Sequence, residues 1–93
     1  FLLMNDLERV ISELERNFDW FSDLDNARRD AMIDICFNLG ITRLLTFKKA
    51  LAAMANEDYA KASFEFMDSR WSEQVGSRAV ELCDMIESGE YYF

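Results

Sequence analysis

Histidine and proline are both missing from this 93-residue chain, glycine occurs three times and cysteine twice. Without an imidazole, no serine, threonine or cysteine has the usual partner for nucleophilic catalysis. The GxSxG, GxxxxGK[ST] and GxGxxG patterns are also missing, which excludes the familiar hydrolase and nucleotide-binding motifs. Cys36 and Cys83 are too few for a disulfide framework and too far apart for a zinc ligand set. Each sits among apolar neighbours at helical spacing, so two buried free thiols are favoured over a disulfide. No metal and no cofactor is expected. Positive charge is scarce: ten Lys and Arg stand against eighteen Asp and Glu, a net charge of -8. Phosphate-backbone binding relies on clustered cations, so nucleic acid is not an expected partner. No apolar run reaches the ~18 residues of a membrane-crossing helix, and Phe1 to Met4 is too short for a signal peptide. The chain opens on Phe1 instead of a methionine, which is read as a processed product or a piece of a longer protein.

What is present is helical. With 51% hydrophobic and 14% aromatic residues the chain is too apolar for disorder, and its lack of breakers argues against a sandwich of short strands. Leu7, Val10, Ile11 and Leu14 form one apolar stripe, predicting a helix over about 6–15 with Asn5 as its cap and Glu8 completing a capping box. Phe18, Trp20 and Phe21 fall in the connection that follows and are expected to seal the core. A second helix, capped by Asp25 and stopped by Gly40 in left-handed geometry, is apolar over more than half its circumference, with Asp30 and Asp34 on the remaining strip. Such a helix belongs at the centre of a fold. A short turn over 41–45 follows. Thr46 is expected to cap a helix in which Phe47, Leu51 and Met54 share a face. Asn56 is expected to end that helix and cap the next, which would bury Tyr59, Ala62, Ser63, Phe66 and Met67. A turn over RWSEQV then leads to a last helix with Ala79, Leu82, Cys83 and Ile86 on one face, stopped by Gly89. The expected fold is all-α: a single compact multi-helix bundle around one central buried helix.

The stretch SRWSEQVGSRA, residues 69–79, concentrates polar and cationic groups that do not belong in a core. Arg78 heads a helix, where a cation opposes the macrodipole, so it calls for a carboxylate partner. Glu73 and Glu81 are nearby candidates. Asn38 is an amide late in a helix, suited either to capping or to donating and accepting hydrogen bonds together. Arg70 has Asp68 beside it as a partner.

Taken in order, Leu24, Asp25, Arg28 and Arg29, then Phe37, Asn38 and Gly40, Phe47, then Ser69, Arg70 and Trp71, then Gln74, Arg78, Ala79 and Gly89 resemble the T-even phage lysozyme family in its C-terminal helical lobe. Residues 1–16 match the end of that family's inter-lobe helix and 24–93 its helical core. The resemblance implies a peptidoglycan-degrading muramidase made in the host cytoplasm and acting on the periplasmic wall at lysis. It implies that Phe37, Asn38, Leu39, Gly40 and Trp71 line the groove for the glycan strand. For Trp71 the plain reading is a core residue, and partial burial at the cleft floor satisfies both. Gln74 and Arg78 are implied to orient a catalytic glutamate across the cleft; for Gln74 the alternative is an ordinary exposed turn residue. The family's acid is followed nine residues later by Asp and six after that by Thr. Here the residues six before Thr42 and Thr46 are Cys36 and Gly40, so that set is not in this sequence. The catalytic N-terminal lobe is therefore expected upstream of Phe1, and this segment alone is expected to be inactive. Members of the family are commonly basic, so a charge of -8 implies either a basic partner lobe or reliance on groove contacts. The alternative is a stand-alone helical module that keeps the core and binds a protein.

Overall fold

The computed structural model describes residues 4–69, 73 and 76–90. Trp71, Gln74 and Arg70 lie outside the described residues, as does most of the turn expected over RWSEQV. Among the described residues, six α-helices and one 3-10 turn are bounded in order: α1 Met4–Asn17, the 3-10 turn Phe21–Asp23, α2 Asn26–Leu39, α3 Ile41–Leu44, α4 Lys48–Ala55, α5 Tyr59–Met67 and α6 Ser77–Ser88. The bundle measures 30 × 27 × 27 Å, and there is no strand among the described residues.

The buried residues follow the periodicity of the sequence. Helix α2 contributes Ala27, Ala31, Met32, Ile35, Cys36 and Leu39 to the core and packs against α1, α3 and α6. Three of its positions, Ala27, Ala31 and Cys36, are small, which lets neighbouring helices approach. Helix α6 answers with Ala79, Leu82, Cys83, Met85 and Ile86, and α5 packs between α4 and α6. Phe18 and Phe21 are buried, and Phe18 stacks on Trp20 with ring centroids 4.9 Å apart. Both cysteines are free and buried. Met67, expected inside, instead stands 36% exposed at the end of α5.

Several helix ends differ from expectation. Helix α1 already includes Asn5 in its first turn. Asp25 occupies the N-cap position of α2, but its carboxylate pairs with Arg28 at 3.1 Å and leaves the helix amides alone. Thr46 does not cap α4: its hydroxyl donates to Arg43 O at 2.6 Å, closing α3, and Phe47 stands at the N-cap. Asn56 does end α4, but Asp58 caps α5, accepting from Lys61 N at 3.3 Å. Between them Glu57 takes φ +61. The bonds Glu57 N to Met54 O at 3.1 Å and Asp58 N to Ala53 O at 2.8 Å form a Schellman closure whose left-handed position holds glutamate in place of glycine.

Arg28 ties distant parts of the chain together. Its Nε donates to Ile86 O at 2.6 Å and its Nη2 to Glu87 O at 2.8 Å, satisfying carbonyls that the end of α6 leaves open. The guanidinium also lies 3.7 Å over the Tyr59 ring of α5. Gly89 ends α6 in the left-handed conformation expected of it. A Cβ there would come within 2.8 Å of Arg28 Nη1, so the same glycine leaves room for the arginine.

Candidate functional site

Helices α1 and α2 cross with their flanks apart, leaving an open groove of about 320 Å3 lined by Leu7, Ile11, Arg29, Asp30, Ile33, Asp34 and Phe37. The apolar stripe of α1 divides to make it. Val10 and Leu14 turn into the core, while Leu7 and Ile11 stay half-buried and form one wall. On α2 the residues on the strip facing away from the core form the other wall. Phe37, 43% exposed, offers an aromatic ring beside two carboxylates and a guanidinium.

Asn38 follows Phe37 and is also exposed. Its Nδ2 donates to Asp34 O and to Asp34 Oδ1, both at 2.9 Å, one turn back along α2. Arg78 stands in the first turn of α6 with its side chain 51% exposed. One guanidinium nitrogen donates to Asp34 Oδ2 and the other to Glu81 Oε2 at 3.2 Å. The hydrogen bond to Asp34 is the main reason the Arg78 pKa lies above its ordinary value. These carboxylates offset the unfavourable placement of a cation at a helix N-terminus. Glu81 is one of the two partners the sequence offered, whereas Asp34 joins from a different helix.

Of the corner residues, Leu39 is buried in the core and is not a groove-lining side chain. Gly40 is exposed, with φ +83 and ψ 152. That is not the left-handed stop expected from the sequence but an extended mirror region open essentially to glycine alone. No atom lies within 4 Å of where its Cβ would be, so conformation and not space requires glycine there. The structure therefore gathers Phe37, Asn38 and Arg78 around one carboxylate, that of Asp34. The sequence places Asp34 only on the strip of α2 left over by its apolar face. The available signal was its spacing of four from Asn38, which puts both side chains on one helix face.

The fold is all-α and lysozyme-like, with an open groove between α1 and α2. The sequence matches the phage lysozyme family over residues 1–84. Two relatives from Dictyostelium discoideum are similar over 69 residues: "Probable T4-type lysozyme 1" at 33% identity and "Probable T4-type lysozyme 2" at 28%, each match covering 74% of this chain and 41% of the relative. The chain belongs to the phage lysozyme family. It spans less than half the length of the curated relatives it matches.

Proposed function

We propose that this chain is the helical lobe of a muramidase, forming one side of a groove for a peptidoglycan glycan strand. Phe37, Asn38, Gly40 and Trp71 are the wall residues of that groove, and Gln74 and Arg78 orient a carboxylic acid carried by residues outside this chain. Glycoside cleavage needs a protonated carboxyl on one side of the scissile bond and a second polar group on the other. A guanidinium beside the acid stabilises its charged form, and burial in a closed cleft favours the neutral one, so Arg78 sets the balance between them. The observation that supports this best is the exposed Phe37 ring beside Asp34 in one groove, with Asp34 paired to Arg78 of α6, in a chain of this family. The relatives' greater length supports an acid supplied from elsewhere. Passage from the host cytoplasm to the periplasmic wall is part of the same reading.

The test is to join the chain to the complementary part of a family member and measure release of soluble glycan from peptidoglycan. The joined protein should be active and this chain alone inert. Arg78→Ala should cut turnover at least tenfold while changing stability by no more than about 1 kcal/mol, the usual size for an exposed ion pair. Wild-type turnover in that variant ends the orienting role. A joined protein that folds but never cleaves favours the interaction-module reading.

A further inference from the structure

Asp34 accepts hydrogen bonds from two of the residues just placed in the groove, each on a different oxygen: Asn38 on Oδ1 and Arg78 on Oδ2. Asn38 Nδ2 carries two protons, and both of its partners, the Asp34 carbonyl and the Asp34 carboxylate, are acceptors only. That fixes which way the Asn38 amide faces, because the reversed amide would set its own oxygen against two oxygens. Both protons are consumed within α2. What the exposed Asn38 leaves unengaged is Oδ1, an acceptor on the residue next to Phe37. The free amide of the sequence reading, able to give and to take, has become a one-way reader.

We propose that Asp34 is the specificity-determining and positioning residue of this groove: by engaging the Asn38 amide protons and the Arg78 guanidinium together, it makes Asn38 an acceptor-only site for the amide N–H of a 2-acetamido sugar. The assignment rests on the muramidase reading for its ligand, and on hydrogen-bond geometry alone for the clamp. A sugar packed on Phe37 through its C–H face would turn its equatorial substituents toward Asn38 and Arg78. An acetamido N–H then meets Oδ1. An acceptor placed there meets a second lone pair and is rejected, which is how a satisfied polar network discriminates. Asp34 acts through its neighbours and touches no reacting atom.

Two measurements on the chain separate the clamp from the ligand. In the first, NMR follows the Asn38 side-chain amide protons and the Arg78 Nη protons. In Asp34→Ala one Asn38 amide proton and the Arg78 nitrogen that served Asp34 should move together to solvated values, while the other amide proton keeps the main-chain carbonyl of residue 34 and the second guanidinium nitrogen keeps Glu81. Asp34→Asn keeps the shape and one acceptor oxygen but turns an NH2 toward the second partner, so only one of the two signals should return. In Asp34→Ala, movement of one signal without the other, or no change in either, overturns the clamp. In the second, the same spectra follow titration with chitotriose and with 2-O-methyl cellotriose, which presents an ether oxygen, an acceptor without a proton, where chitotriose carries an acetamido N–H. Chitotriose should bind at least tenfold more tightly than the methylated sugar to the wild-type chain, and that preference should be lost in Asp34→Ala. Equal binding of the two sugars, or a preference that survives the substitution, overturns the specificity role. Failure of the wild-type chain to bind either sugar counts against the muramidase groove and the acetamido assignment, while the first measurement still decides the clamp.

Discussion

Replacing Arg28 with alanine is the most severe single change the structure offers outside the apolar core. The side chain is only 18% exposed and makes two hydrogen bonds to main-chain carbonyls at 2.6 and 2.8 Å and one ring contact at 3.7 Å. A hydrogen bond from a charged donor is worth about 1.5 to 3 kcal/mol, and the part-buried bond to Ile86 O belongs in that range. The bond to Glu87 O faces water and counts as an ordinary one, about 0.5 to 1 kcal/mol. The contact with Tyr59 adds about 0.5 to 1 kcal/mol. The pair with Asp25 adds little, because that carboxylate is solvated. Together these give about 3 kcal/mol. For a domain of this size that corresponds to a fall in Tm of about 10 to 20 °C, measured by circular dichroism. Arg28→Lys keeps the charge but not the planar fork, so it should recover less than half of the loss. Amide exchange should localise the damage to the last turn of α6. A melting midpoint within about 3 °C of wild type, or protection lost evenly across the bundle, refutes the reasoning.

Gly89→Ala forces a side chain into left-handed backbone and against Arg28. It should cost about 1 to 2 kcal/mol, and in denaturant titrations its effect should be less than additive with that of Arg28→Ala. Glu57→Gly should raise stability by about 0.5 to 1 kcal/mol in the same titrations, because it relieves a left-handed residue in an exposed helix-ending turn. Met32 has no exposed surface, so Met32→Ala should cost about 2 to 5 kcal/mol; an unchanged midpoint contradicts its place in the core. Burial pushes the Cys36 thiol from the usual 9.0 up to about 11 and the Cys83 thiol to about 12. As the pH rises above 9.0, unfolded thiols lose their protons while the folded ones keep theirs, so this contribution to stability is intact below 9.0 and declines toward the folded values. At pH 8, Ellman's reagent should label both cysteines only as fast as the chain opens, and an immediate two-thiol reaction excludes the buried assignment.

The apolar spacing of the sequence foretold the helices and most of the core because burial is a property of each helix's own face. Val10 and Leu14, the residues of α2, and Ala79, Leu82, Cys83 and Ile86 all lie where periodicity puts them. The caps were less legible. Asp25, Thr46 and Asn56 carry the right chemistry for capping, but Arg28, Arg43 O and Asp58 compete for or replace it, and a local pattern cannot rank the competitors. Met67 continues a stripe that ends where its helix meets water. The groove was legible as residue types and not as an arrangement. Phe37, Asn38 and Arg78 were visible as candidates, but the contact between Asp34 and Arg78 bridges 44 positions of chain, and only the packing of α2 on α6 brings them together.

The arginine near the start of α2 fastens onto carbonyls at the close of α6, so the two ends of the helical core are buckled to each other. A nascent chain still lacking its final turn would hold an open guanidinium and an unlatched α5 ring. Ribosome-stalled chains stopped before Ile86 should accordingly remain sensitive to protease, and extension by a handful of residues should make them resistant in a single step. On the ribosome, the second helix emerges well before the carbonyls that its arginine binds.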